Sequence, residues 1–235
     1  MFPAMITDSI LYGMGLTIIV YCLAECFIER FGIKLLPPMF FACPTIVLML
    51  MYVPELSYEK YARGADFINF LLGPATIALA VPLYRNWKTV QKYALPLGIG
   101  VVFSSVLSVS LIYFMGKYLG VSEQLLLSLL PKSVTAPIAI EITKPLGGLP
   151  PITTAAVISS GVLGAIINHS LLRMFHVKSD VACGLAIGAC SHGLGTSVCV
   201  NVSSVQLAVG GVSIGLCGLA SSVLIPLLYP ILKSF

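Results

Sequence analysis

The stretch Leu129-Leu130-Pro131-Lys132-Ser133-Val134-Thr135-Ala136-Pro137-Ile138-Ala139-Ile140-Glu141 decides how this chain folds. Within residues 123–149, otherwise apolar, it gathers Pro131, Lys132, Pro137 and Glu141, with Lys144 and Pro145 close behind. Proline removes a backbone donor and clashes with the carbonyl four residues back, and in lipid no water satisfies the orphaned groups. A continuous lipid-facing helix is therefore excluded. Two half-helices meeting at a polar break, or a re-entrant hairpin, keep the irregular backbone inside protein.

The surrounding composition establishes that lipid is the solvent. Of 235 residues, 58% are hydrophobic and 9% charged, and the mean hydropathy is +1.01. Soluble domains carry about 25% charged residues, so this chain could not solvate its own surface. A soluble enzyme, a disordered tail and a nucleic-acid binder are excluded, and an all-α integral membrane protein is expected. The seven cysteines lie in apolar segments without C-x-x-C or zinc-finger spacing, which reads as small buried hydrophobes rather than a disulfide or metal framework. No cofactor is expected. No basic n-region or small-residue cleavage site precedes the first long apolar run, so the N-terminus is read as retained.

A spanning helix needs about 20 apolar residues. Such stretches run over about 7–28, 35–53, 65–84 (interrupted at Gly73-Pro74), 93–118, 151–175, 181–202 (interrupted at Ser191-His192-Gly193-Leu194-Gly195-Thr196) and 206–232, with an amphipathic stretch at 54–64. That is about seven transmembrane helices plus the broken segment, in a single transmembrane domain over 1–235. An internal echo accompanies them. Leu36-Pro37-Pro38 corresponds to Leu149-Pro150-Pro151, and Gly73-Pro74-Ala75-Thr76 to Gly193-Leu194-Gly195-Thr196, in the same order at offsets of 113 and 120. Repeat units at about 35–118 and 149–233 follow. Arg30/Lys34, Arg85/Lys88/Lys92, Arg173/Lys178 and Lys233 all become cytoplasmic if residues 123–149 enter and return on one side. The second three-helix unit is then inverted relative to the first, with an outside N-terminus and discontinuous helices, as in many secondary transporters.

An ionisable residue at membrane depth costs roughly 2.5–3.5 kcal/mol on insertion scales, so each needs a reason. Lys132, with the Ser133 and Thr135 hydroxyls and the restarting half-helix, reads as a seat for a carboxylate; alternatively Lys132 snorkels or pairs with Glu141. His192, beside Ser191 and between glycines that permit close approach (Gly193 and Gly195), can donate a hydrogen bond, carry a proton, or simply pack. Thr196 adds a hydroxyl. In the matching half, Thr76 and Asn69 are the polar candidates, with Asp66 at the interface. No nucleophile elbow, paired carboxylates or phosphate loop is present, so catalysis is not expected.

At these motifs the sequence resembles the LrgB/CidB family. The resemblance rests on Asp66 to Tyr84, Leu129 to Ile142, Gly147-Gly148-Leu149-Pro150 and Gly184 to Thr196, and covers nearly the whole chain. It implies a protein of the bacterial cytoplasmic (inner) membrane, working beside a small LrgA/CidA-type partner. A related domain occurs in the plastidial glycolate/glycerate translocator of plants. The family is described both as holin/antiholin-like modulators of murein hydrolase activity and autolysis and as carriers of small monocarboxylates such as glycolate, glycerate or pyruvate. The residues favour the carrier, with Lys132 as carboxylate partner, Ser133, Thr76 and Thr196 as donors, and Glu141 orienting Lys132. A homo-oligomer (dimer) is expected. One departure stands out: where family members continue after the Ser-His-Gly-x-Gly-Thr motif with an Arg and then acidic residues, this chain has Val198, Asn201, Ser204, Val205 and Gln206. If those charges serve ion coupling or a gate, this chain couples differently or has lost the step.

Overall fold

The structure is a computed structural model and describes residues 10–32, 38–53, 57–71, 74, 77, 80–85 and 87–234. Among them there is no strand. The helices are α1 (Ile10–Phe31), α2 (Met39–Tyr52), α3 (Tyr58–Phe70), α4 (Ala80–Arg85), α5 (Trp87–Lys92), α6 (Ala94–Tyr118), α7 (Glu123–Leu129), α8 (Ala136–Leu146), α9 (Pro150–Met174), α10 (Asp180–Ser197) and α11 (Ser204–Lys233), with a 3-10 turn at Val198–Asn201. Among the described residues, five helical stretches are long and apolar enough to cross a membrane: Leu11–Phe31, Ala94–Tyr118, Pro150–Met174, Asp180–Val200 and Ser204–Lys233. The chain divides into two compact units, Met1–Ile77 and Ala78–Phe235.

In the first unit α1 packs on α2 and α3 through Val20, Ala24, Ala42 and Ile46, with Leu16, Met49 and Tyr61 against them. The Thr17 hydroxyl donates to Gly13 O at 2.8 Å and lies 2.9 Å from the Tyr61 hydroxyl. Two boundaries differ from the sequence reading. The stretch at 35–53 holds a helix of only 14 residues, about 21 Å long and short of the hydrocarbon thickness. The amphipathic stretch and the start of the next apolar run form one helix, α3. Ser57 accepts a capping bond from Lys60 N at 3.4 Å, and Glu59 lies in the first turn, so local capping set the start. The first half of the sequence echo falls on Leu36, Pro37, Gly73, Ala75 and Thr76, outside the described residues.

In the second unit α6 and α11 run side by side in the same direction. Leu97 packs with Val209 and Val212 at one end, Ser221 donates to Ser105 in the middle, and the rings of Tyr113 and Tyr229 stand 6.4 Å apart at the other. The α7–α8 segment is the expected hairpin. The Glu123 carboxylate, at the start of α7, accepts from the Tyr229 hydroxyl and the Lys233 ammonium at the end of α11. The chain turns at residues 130–135, where Ser133 meets Ser108 halfway along α6, and comes back beside α7. There Leu149 N donates to Ser128 Oγ at 2.7 Å and Thr153 Oγ1 to Ser128 O at 2.9 Å.

The expected crossing at 181–202 is corrected by α10, which doubles back on itself. Thr196 Cγ2 lies 2.7 Å and Gly184 O 3.4 Å from the position a Cβ would take on Gly210. A straight helix would separate residues 184 and 196 by about 18 Å, so both can reach that point only if the chain reverses between them. The reversal is at His192, whose φ of 40° and ψ of −141° are non-helical. Asp180 at the start of the first arm accepts from Ser203 Oγ and Gln206 Nε2, each at 2.8 Å, so both arms end beside the beginning of α11. The first arm packs closely on α11: a Cβ on Gly184 or Gly188 would lie 2.6 Å from Gln206 O or 2.5 Å from Gly210 O, the small-residue contact by which membrane helices approach. The second unit thus has three full-length helices, α6, α9 and α11, and two hairpins that enter from opposite ends.

Candidate functional site

The two hairpin tips meet against the middle of α9. At the first tip, the Lys132 and Val134 amides donate to Leu129 O and Pro131 O, both at 3.1 Å, giving tight turns. Thr135 is the N-cap of α8 in extended backbone, and its hydroxyl makes no capping bond. With Pro137 lacking an N–H, the first turn of α8 points its dipole at the tip without a side-chain acceptor. The Ser160 hydroxyl of α9 lies 2.9 Å from Lys132 O and 2.9 Å from Val157 O.

At the second tip, His192 is 4% exposed and its Nε2 lies 3.0 Å from Val157 O. A carbonyl only accepts, so Nε2 carries the proton; in the neutral ring this leaves Nδ1 as an acceptor. Thr196 Oγ1 donates to His192 O at 2.7 Å and Asn168 Nδ2 to Ser191 Oγ at 2.8 Å. Space for this tip comes from α9: a Cβ on Gly164 would collide with Ser191 Oγ, and one on Gly161 would lie 2.6 Å from His192 Cε1. A positive φ on a β-carbon-bearing residue costs of order 1–3 kcal/mol and persists only where the surroundings enforce it; here the bond to Val157 and the packing against Gly161 do so.

The Lys132 ammonium makes no hydrogen bond or ion pair with a described residue, and it lies within electrostatic reach of Cys190 and His192 on the opposing tip. Glu141 does not orient it. That carboxylate pairs with Lys144 at 2.7 Å, one turn further along α8, and both are exposed. A half-buried cation without a described partner, in a segment that also holds a capless helix start, has the chemistry to attract an anion. Ser133 and Thr135 belong to the first tip, where Ser133 Oγ lies 2.8 Å from Ser108 Oγ, and Ser191 and His192 to the second, with Thr196 one turn along its return arm; Gly193 is exposed and Gly195 packs on Ser191. Asn69 belongs to the first unit, exposed, its Nδ2 3.4 Å from Asp66 Oδ1. Thr76 lies outside the described residues.

Sequence reasoning missed the serines of α6 and α11 and the α9 residues Val157, Ser160 and Asn168. A cavity of about 10 Å³ next to the first tip is lined by Ser104, Ser105, Ser108, Ser133 and Ser221, with Cys217 and Pro131. The signal available was Ser104, Ser105 and Ser108 at helical spacing in an apolar helix. Serine in such a helix usually returns its proton to its own backbone, which makes the pattern unremarkable until the tip is seen against it. Among the described residues no cluster of His, Cys, Asp or Glu could hold a metal ion.

The sequence matches the family described as LrgB-like over residues 17–231. It is 35% identical to the uncharacterised protein YxaC of Bacillus subtilis over 90% of this chain and 92% of that protein. It is 35% identical to the holin-like protein CidB of Staphylococcus epidermidis, over 91% and 93% of the two chains. Against the antiholin-like protein LrgB of Bacillus mycoides the identity is 31%, over 93% and 95%. No solved structure matches.

Proposed function

The chain belongs to the LrgB-like family, and from that premise we propose that it is a multi-pass carrier of small monocarboxylates such as glycolate, glycerate or pyruvate in the cytoplasmic membrane. The observation that carries this reading is the unpaired Lys132 ammonium between two opposed hairpin tips. A carboxylate there would gain the charge of Lys132 and the start of α8, with the Ser133 and Thr135 hydroxyls and the peptide groups of the tips as candidate donors to orient it. Binding at the meeting point of two hairpins, one from each side, suits alternating access. We read α6 with the first hairpin and α9 with the second as inverted counterparts, because each pairs a 25-residue helix with a hairpin entering from the end at which that helix stops.

The names of the relatives favour a second reading more directly, a holin- or antiholin-like protein; on that reading the chain modulates cell-wall hydrolysis together with a small LrgA/CidA-type membrane partner. Proteoliposomes separate the two. A carrier takes up labelled glycolate or pyruvate saturably and retains an entrapped dye; a holin-like assembly releases the dye and shows no saturation. Repeating both measurements with the neighbouring small membrane protein co-expressed tests the need for a partner.

A further inference from the structure

We infer that the serine-lined cavity beside the first tip is a binding site for a small monovalent cation of the sodium class. The cavity lies where α6, the first tip, the first arm of α10 (through Ala189) and α11 meet, and it encloses about 10 Å³. That is close to the roughly 10–15 Å³ that a single water requires, so the occupant is one small, dehydrated species. Its lining offers five hydroxyls and no carboxylate.

The protons of those hydroxyls are largely committed. Ser104 donates to Val101 O at 3.0 Å, Ser221 donates to Ser105 at 3.4 Å, and one proton is spent within the Ser108–Ser133 pair at 2.8 Å. Ser105 and one member of the Ser108–Ser133 pair each spend a lone pair accepting these bonds, and the remaining lone pairs still outnumber the uncommitted protons, so the cavity presents more acceptors than donors. A small shell of hydroxyl oxygens rich in acceptors, with the Cys217 thiol beside it, replaces the hydration of a hard cation, and its size and ligand number discriminate against a larger one such as potassium.

Charge ties this site to the anion seat, and in this respect the inference rests on the carrier reading. Lys132 is adjacent in sequence to Ser133, which lines the cavity. Two cations so close at membrane depth repel each other unless an anion sits with them. A carboxylate on Lys132 therefore strengthens cation binding, and by reciprocity the cation strengthens carboxylate binding. The result is coupled, charge-compensated uptake, with no carboxylate in the cavity lining.

The test is thermal unfolding of the purified full chain in detergent, in sodium, potassium or choline chloride at equal ionic strength, each with and without pyruvate. Sodium is expected to raise the midpoint saturably over the other two. Ser105→Ala and Ser221→Ala are each expected to weaken the half-saturating sodium concentration about tenfold, equivalent to about 1.4 kcal/mol. Equal midpoints in all three salts overturn the site and leave a single water as the occupant. Sodium-specific stabilisation in a chain that takes up no carboxylate supports the site and defeats the carrier. Carboxylate uptake that ignores sodium, with equal midpoints, does the reverse.

Discussion

His192 Nε2 donates to the carbonyl oxygen of Val157 at 3.0 Å, and this contact fixes the tip of the second hairpin to α9. Ser160, one turn along α9, reaches Lys132 O at the tip of the first. Two hairpins that come from opposite ends of the unit are thus held by residues three positions apart on one helix.

The backbone at His192, with φ of 40°, separates two contributions of that residue. His192→Gly loses the bond to Val157 but relieves the dihedral strain, whereas His192→Ala loses the bond and keeps the strain. Alanine is expected to be less stable than glycine by about 1–2 kcal/mol, measured by denaturant or thermal unfolding in detergent. Equal stability would remove strain from the account of this turn.

Lys132→Gln is expected to lower carboxylate uptake, measured as kcat/KM, by about 10–100-fold, the worth of one hydrogen bond to a charged group. Glu141→Gln is expected to leave uptake within about twofold, because Glu141 pairs with Lys144 at an exposed site, where ion pairs are weak. A large loss in the second variant would restore Glu141 to the site.

Gly164→Ala places a methyl against Ser191 Oγ. Overpacking of this kind costs roughly 1–3 kcal/mol, and here it pushes the second tip away from α9. Reduced thermal stability is expected, together with faster labelling of Cys190 by a thiol reagent. Unchanged labelling would show that the tip tolerates displacement.

The Glu123 carboxyl accepts from Lys233 and from Tyr229, and these hydrogen bonds, with the Lys233 charge, hold its pKa below the ordinary 4.5. A lowered folded pKa gives stability that is complete above the unfolded value and disappears as pH falls through the folded one. The wild type should therefore lose an increment of stability on acidification below about pH 4.5, and Glu123→Gln should lack that increment. The increment should also shrink in high salt, since the pair is exposed.

The reversal in α10 changes the expected topology. Arg85, Lys88, Lys92, Arg173 and Lys178 cluster at the end where α6 and α11 begin and α9 stops, whereas the smaller set Lys117, Lys144 and Lys233 lies at the other end. By the positive-inside rule the first group is expected on the cytoplasmic side and Lys233 on the other, whereas the sequence alone pointed to Lys233 inside. Alkaline phosphatase fused after Lys233 should be active and after Lys178 inactive; the opposite pattern would invert the assignment.

Much of this arrangement was legible in residue types. Three prolines and two lysines in 123–149 foretold the first hairpin, because backbone without partners cannot face lipid. The second hairpin was hidden, since Asp180 to Val200 is apolar and long enough to cross. Its reversal depends on one histidine at positive φ, held by a carbonyl 35 residues away, and no local pattern encodes that. Lys132 was legible as a lone charge. Ser104, Ser105 and Ser108 were not, because serine on an apolar helix is commonplace and acquires meaning only from what packs opposite.

Ser160 has one proton and two carbonyls at equal distance, Lys132 O and Val157 O. It can give that proton fully to only one of them. Rotating the hydroxyl toward Val157 frees the first tip from α9 while the number of hydrogen bonds Ser160 donates stays the same. This one bond between the first tip and the middle of α9 can therefore be given up by exchange rather than rupture, without leaving the serine unsatisfied.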